Sequence, residues 1–402
     1  MRRVAVAVAA LQVALFVTLG LPDGALGVAW PSMRGAVDRP LGALGIVLAL
    51  GAIGYLIGSP SVAGLARRFG TPDTMLAGSV GATLALAAWA ATSSWAVLLA
   101  AAFVLGIARG MVDAGLNAYV ALHGGVRRLG LLHGAYGVGT SAGSLLVVIA
   151  LAAGSWRGAW FVMAALNAGV AVWGARRRTD WPPDVVVDAP EEDDGTAEPR
   201  RTGLIVAVTV LCFAALVGAE YSTGAWSYTL LTDGRGVSDT AAGLWVAAFW
   251  GGLTVGRFAV GAVGHRIDRI TLLNVSAAGA LTGVGLLWWD PAGLGVLGLP
   301  LAGLGFAALF PALVALMPDR IGPHRSSAVI GWSVAAASLG GTAVAAGAGV
   351  LVDRYGADVL GPTLFIVTGV FVALHLVLVG LAPVRTPAPP HADPLATPPL
   401  PH

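Results

Sequence analysis

Long apolar stretches alternate with short polar clusters along the whole chain. An α-helix needs about 20 apolar residues to cross a bilayer, and runs of that length lie between clusters of Arg, Asp or Pro. The first six are predicted at 4–30, 41–65, 74–91, 95–122, 129–153 and 157–174. Six more are predicted at 203–232, 240–263, 270–289, 292–317, 326–352 and 359–382. The pattern predicts an all-α polytopic membrane protein with twelve transmembrane helices.

The polar segments divide the chain into two halves. Residues 1–174 form an N-terminal six-helix bundle and residues 203–382 a C-terminal one. Residues 175–202 carry charge runs and no apolar period, which is typical of a solvated cytoplasmic linker. The tail 383–402 is rich in proline and is predicted to be disordered.

The two halves also resemble each other locally. Asp23 precedes Trp30 by seven residues in the first segment, and Glu220 precedes Trp226 by six in the seventh. Duplicated halves are common in transporters, where the binding site lies near the membrane midplane between them. We therefore expect two pseudo-symmetric bundles.

Composition supports the membrane assignment. Apolar residues make up 57% of the chain and charged residues 11%, and the mean hydropathy is +0.81. Such a chain cannot present a solvated surface, so its expected surroundings are a lipid bilayer. The formal charge of +2 and the scattered arginines argue against nucleic acid as a partner. A single cysteine, Cys212, cannot form an intrachain disulfide.

The N-terminus and the arginines predict an orientation. Arg2 and Arg3 before an apolar run imitate a signal peptide, but the run is long enough to span and is better interpreted as the first helix. With the N-terminus inside, sixteen arginines lie inside and five outside, or ten against five when linker and tail are discounted. The excess of arginines inside predicts a protein of the cell membrane with both termini cytoplasmic.

Three carboxylates, Asp23, Asp113 and Glu220, lie within the apolar segments. A charge near the bilayer centre costs at least about 2.5–3.5 kcal/mol, so such acids usually line a substrate, ion or proton pathway. Transport is therefore the first functional hypothesis.

Other polar residues fall on shared helix faces. Arg109, Asp113 and Asn117 are four residues apart and so share one face. They could bind substrate, or Arg109 and Asp113 could form a fixed ion pair that only holds helices together. His133 and Tyr136 begin a stripe that continues to Thr140 and Ser144, as expected for a wet cavity, although a satisfied core histidine is an alternative.

The seventh and eighth segments contribute further candidates. Glu220 has Trp226 close by on its own segment, and Arg257 lies in the eighth. Arg257 could face the substrate or could anchor a neighbouring acid, and most transmembrane Trp residues serve packing or the interface. In the first segment, Pro22 directly before Asp23 removes a backbone hydrogen bond and favours a kink.

These features together resemble the major facilitator superfamily, from about residue 4 to 382. Gly64-Leu65-Ala66-Arg67-Arg68-Phe69-Gly70 is similar to a signature loop of that superfamily, with Arg67 in place of an acid. The same pattern recurs at 349–356, where Asp353 supplies the acid. The resemblance implies two six-helix bundles and transport by alternating access.

Four local matches resemble the fucose permease-like branch of sugar/proton symporters. They are Asp23 in Gly20-Leu-Pro-Asp23, the pair Asp113 and Asn117, Gly256-Arg257-Phe258, and Phe310-Pro311. The resemblance implies roles in proton coupling and substrate binding for Asp23 and Asp113. The sequence departs from the branch at Tyr136, where an amide is expected, and at Ser144, where Gly-Pro is usual.

The sequence predicts a proton-coupled symporter of a small polar solute such as a sugar, functional as a monomer, with no cofactor and no metal. Glu220, which has no arginine on its own helix, is expected to be the more readily protonated acid. Asp113 and Arg109 are expected to orient the substrate. A proton-coupled exporter of drugs or metabolites and a non-transporting membrane sensor are the alternatives. The absence of a nucleophile elbow, a phosphate-binding loop or a His/Cys/Asp cluster argues against an enzyme.

Overall fold

The computed structural model describes residues 2–123, 125–181, 199–263 and 266–382. Twelve helices in these ranges are long and apolar enough to cross a membrane, which confirms the predicted number. Those of the N-terminal half are α1 (Arg2–Ala36), α2 (Leu44–Phe69), α3 (Thr71–Ala91), α4 (Trp95–His123), α5 (Gly125–Ala152) and α6 (Arg157–Arg177). Those of the C-terminal half are α7 (Pro199–Thr229), α8 (Asp239–Val263), α9 (Arg269–Trp289), α10 (Gly298–Ala307), α11 (Pro323–Tyr355) and α12 (Leu360–Leu381). Helix α10 is one part of its span, which extends over Gly295–Ala315.

The ends of the predicted linker are helical. Helix α6 runs to Arg177, a short 3₁₀ turn follows at Arg178–Asp180, and α7 begins at Pro199. The rest of the linker, 182–198, and the predicted disordered tail, 383–402, lie outside the described residues.

The tenth span is divided where the sequence predicted one helix over 292–317. Helix α10 ends at Ala307, and two short helical segments follow, Leu309–Ala315 and Met317–Ile321. Pro311 has no N–H to bond the carbonyl of Ala307, and its ring clashes with that carbonyl. The break after Ala307 therefore follows from one residue, and Pro318 acts in the same way further along.

The first helix continues through its prolines. Pro22 and Pro31 both lie inside α1, which extends over 35 residues. The local break that Pro22 favoured does not divide this helix, which packs closely against α5.

Equivalent helices pair in the two halves. In the N-terminal half α1 packs against α5, α2 against α4, and α3 against α6. In the C-terminal half α7 packs against α11, α8 against α10, and α9 against α12. Each pair in one half has its counterpart six helices later in the other, so the predicted pseudo-symmetry of two six-helix bundles is confirmed.

Glycine allows these helices to touch through their backbones. A Cβ placed on Gly24 of α1 would overlap the main chain of Thr140 in α5, and one on Gly303 of α10 would overlap the carbonyl of Phe249 in α8. Lipid tails give no hydrophobic drive for helix association, so helices in a membrane rely on close packing of this kind.

Among the described residues, the halves meet mainly along three helix pairs, α5 with α8, α2 with α11, and α1 with α7. The α2–α11 pair is tight where α2 begins and α11 ends: a Cβ on Gly45 would lie 2.7 Å from the Cα of Ala346. We call this the closed end of the bundle. Near the opposite end, Gly64 of α2 and Gly331 of α11 have no other heavy atom within 4 Å of an ideal Cβ among the described residues.

Candidate functional site

A cavity of about 190 Å³ lies between the two halves, directly below the closed end. Helices α1, α2 and α4 form one wall, and α7 and α11 form the other. Asp23 and Arg109 are the two predicted site residues that line it. Its remaining polar lining consists of Tyr55, Tyr221, Ser338 and Thr342.

Asp23 is the centre of a three-residue network in the N-terminal half. Arg109 from α4 and Tyr136 from α5 both donate hydrogen bonds to its Oδ2 atom. The Asp23 side chain is 6% exposed and that of Arg109 24%. A charge-assisted ion pair with an added hydroxyl donor offsets the cost of burying a carboxylate at low dielectric. The network ties three helices together at the cavity wall.

Asp113 has partners other than the expected arginine. The Tyr55 hydroxyl donates to its Oδ2 atom at 2.5 Å, and the Asn117 amide donates to its Oδ1 atom at 2.7 Å. The alternative of a fixed Arg109–Asp113 ion pair is therefore wrong in this conformation, because the guanidinium pairs with Asp23 instead. The shared face with Asn117 is confirmed by their hydrogen bond.

Glu220 is paired with an arginine from the next helix. Nη2 of Arg257 lies 3.3 Å from Oε1 of Glu220. Glu220 was predicted to be the more readily protonated acid because its own segment carries no arginine, but the neighbouring helix α8 supplies one. The pair matches the alternative interpretation of Arg257 as the anchor of a neighbouring acid. The two halves now share one motif: a mostly buried acid on the first helix of the half, Asp23 or Glu220, is paired with an arginine on a neighbouring helix.

His133 and Trp226 lie in different surroundings. His133 is exposed, makes an edge contact with Phe16, and is within electrostatic range of Arg257 and Asp113. Trp226 is fully buried and its indole N–H donates to the carbonyl of Ala345 at 2.9 Å. Trp226 does not line the cavity, and its contacts are those of a packing residue.

Sequence analysis missed four polar residues of the cavity. Tyr55 and Tyr221 line the cavity from opposite halves, and Tyr221 is within electrostatic range of both Asp23 and Arg109. Ser338 and Thr342 are four residues apart on α11 and so share one face. The spacing of Ser338 and Thr342 was a signal that could have been found; the two tyrosines were isolated in apolar stretches.

The described residues contain no group of three or more His, Cys, Asp or Glu side chains that could hold a metal ion. Hydroxyls, one acid and one arginine face the cavity. Such a set can donate and accept several hydrogen bonds to one polar molecule and can exchange a proton at the acid.

The sequence matches the family profile described as Major Facilitator Superfamily at residues 13–301 and 208–401. The chain belongs to the Major Facilitator Superfamily. Its twelve apolar helices and this family indicate a multi-pass membrane protein.

Two curated relatives and several solved structures are similar to parts or all of the chain. The glucose/galactose transporters of Brucella abortus, biovar 1 strain 9-941 and strain 2308, are each 30% identical to it over 180 residues. This match covers 44% of the chain and 42% of each transporter, so less than half of either protein is compared.

Solved structures show the same fold at low sequence identity. The nucleoside transporter NupG has a TM-score of 0.69 at 12% identity, covering 92% of this chain and 98% of its own. A D-xylose-proton symporter has a TM-score of 0.72 at 14% identity, covering 94% and 98%. A bacterial homologue of the human lysosomal transporter Spinster, inward-facing and unoccupied, has a TM-score of 0.67 at 14% identity, covering 95% of each chain.

Proposed function

We propose that this protein is a proton-coupled symporter of a small polar solute such as a sugar, working by alternating access. The observation that carries the proposal is the position of Asp23. Its carboxylate lies in the wall of the cavity between the halves, held by Arg109 and Tyr136.

Proton coupling follows from the chemistry of this network. A proton on Asp23 would remove the charge that binds Arg109 and would free the guanidinium to donate to a substrate oxygen. Loss of the proton would restore the ion pair and release the substrate. Binding of proton and substrate would thus favour each other, as linkage requires for symport.

The second pair, Glu220 with Arg257, is proposed to act in the C-terminal half as Asp23 with Arg109 does in the first. Its helix, α7, also carries Tyr221 in the cavity wall. Protonation of Glu220 would break this pair, and loss of the proton would restore it. Each step would change the contact between α7 and α8.

The lining favours a neutral solute with several hydroxyls. Tyr55, Tyr221, Ser338 and Thr342 each offer one hydroxyl, which can donate and accept a hydrogen bond. The names of the glucose/galactose transporters and the xylose-proton symporter are in keeping with a sugar. We propose protons and one such solute as the ligands and a monomer as the functional unit.

Uptake in proteoliposomes tests the proposal. We expect labelled monosaccharide to accumulate when the outside is acidified, and Asp23→Asn to lose accumulation while keeping exchange of sugar between the two sides. Glu220→Gln and Asp113→Asn should be impaired in accumulation to different degrees. Asp180→Asn, a change in an exposed pair with Arg177, is the matched control and should transport normally.

Unimpaired accumulation in Asp23→Asn, Glu220→Gln and Asp113→Asn would refute proton coupling through these acids. A thermal-shift screen against sugars and other polar metabolites, at two pH values, would identify the solute, because a ligand stabilises the state that binds it.

A proton-coupled exporter is the second candidate, and one observation favours it. Much of the cavity wall is apolar, with Leu26, Val47, Leu48, Trp89 and Leu105 among its residues. Such a wall suits a lipophilic cation paired with Asp23. Acid-driven release of a lipophilic cation dye, with no sugar uptake, would support export over symport.

A further inference from the structure

A hydrogen bond joins the two halves at the closed end. The backbone N–H of Gly42, in the first turn of the second span, donates to Oδ1 of Asp353 at the end of α11 at 2.8 Å. The two residues are 311 positions apart in the chain and belong to different bundles. A carboxylate that accepts from a backbone N–H forms a charge-assisted bond, which is stronger than a neutral one.

The start of the second span has no acceptor of its own at this point. Pro40, which precedes the turn Leu41–Ala43, and Ala43, which precedes α2, make no side-chain capping hydrogen bond. The first N–H groups of a helix have no partner within the helix. Asp353 of the other half therefore supplies the acceptor.

The backbones around this bond are packed too closely for side chains. A Cβ on Gly349 would lie 2.9 Å from the Cα of Gly42, and one on Gly42 would strike the carbonyl of Gly349 and the carboxylate of Asp353. The Gly45–Ala346 contact follows one turn further along. Two glycines and one acid thus make the contact that closes the bundle.

The same two helices continue directly into the cavity wall. Leu48 and Gly51 of α2, and Ser338 and Thr342 of α11, line the cavity. Separation of α2 from α11 at Gly42 would therefore open the cavity to this end.

The sequence repeats the pattern at the other end of α2 without the acid. Residues 64–70 align with 350–356 and share a leucine, an arginine and the final glycine, but Arg67 takes the place of Asp353. An arginine cannot accept a hydrogen bond from a backbone N–H. The equivalent bond is thus ruled out for Arg67.

We propose that Asp353 is an interdomain latch, which stabilises the conformation closed at this end by bonding Gly42 and is released when the cavity opens there. Because Arg67 cannot act in the same way, the latch biases the resting protein towards this conformation. The inference concerns the gate of the transport cycle proposed above, but its test requires neither a substrate nor a proton gradient.

Distances between two spin labels, measured by pulsed electron paramagnetic resonance, test the latch. Cysteines replace Gly35, near which a Cβ meets no other described atom within 4 Å, and Tyr355, which is 70% exposed. The native Cys212 is fully buried and stays unlabelled, as the parent protein without added cysteines will verify. The labels lie on different halves at the closed end, so their distance reports its opening.

Asp353→Ala should raise the ratio of open to closed molecules at least about threefold, as expected when a helix-start acceptor is lost. Gly42→Ala should shift it in the same direction by steric overlap, and Asp353→Asn, whose side-chain oxygen still accepts, should stay nearer the parent. Asp358→Ala removes another acid at the same end, near Gly234 of its own half, and should change nothing.

Unchanged distances in both Asp353→Ala and Gly42→Ala would overturn the latch, and so would an equal shift in Asp358→Ala. If added sugar leaves the distances unchanged in the parent and in the folded variants, that result would count against the proposed substrate and not against the latch.

Discussion

Removing the arginine from the Asp23 network should destabilise the protein more than removing both charges. In Arg109→Gln, Asp23 remains a buried carboxylate with Tyr136 as its donor. Loss of one partner from a buried ion pair costs about 3–5 kcal/mol. Because 24% of the Arg109 side chain is exposed and Tyr136 remains, we expect about 2–3 kcal/mol here.

Two comparisons separate this electrostatic cost from lost packing. The double variant Asp23→Asn/Arg109→Gln leaves no uncompensated charge and should be destabilised by about 1 kcal/mol. Arg67→Gln, a change at an arginine away from the cavity, should have almost no effect.

Thermal unfolding of the purified proteins in detergent measures these differences in stability. The reasoning fails if Arg109→Gln is as stable as the parent. It also fails if the double variant is less stable than Arg109→Gln, because the charge would then not be the source of the cost.

Three further predictions address packing, binding and a helix start. Gly24→Ala should lower the melting temperature because its Cβ overlaps the backbone of α5. Gly169→Ala is the control and should not lower it, because no other described atom lies within 4 Å of that Cβ. Equal melting temperatures in the two variants would contradict the close packing at Gly24. Trp226→Phe should reduce the free energy of unfolding by about 1 kcal/mol through loss of the hydrogen bond to Ala345. It should leave sugar affinity unchanged in a binding assay; a weaker affinity would show that Trp226 belongs to the binding site. Asp268 accepts hydrogen bonds that lower its pKa, so its cap on α9 should persist through the usual Asp range and be lost only below it. Protection from hydrogen exchange at the start of α9, taken relative to the intrinsic exchange rate at each pH, should therefore fall on strong acidification, and Asp268→Asn should remove this pH dependence.

The amino-acid pattern determined the elements and their grouping. Twelve apolar runs, a polar linker and echoes between the halves were enough to predict two six-helix bundles, because a bilayer permits few alternatives to a continuous apolar helix. Single residues also carried local detail: Pro311 ends α10 after Ala307 by a rule that the sequence alone could have applied. The buried acids could also be found from the sequence, because a charged residue is rare in an apolar membrane segment.

Only the tertiary structure decided which side chains meet. Helical spacing places Arg109 and Asp113 on one face, but a long arginine side chain pairs with the acid that packing brings to it, and here that acid is Asp23 on α1. Glu220 obtains Arg257 from α8 in the same way. Helix periodicity fixes the direction of a side chain from its own axis. The depth, register and neighbour of each helix depend on contacts between residues far apart in the chain, and these determine the partners at the site.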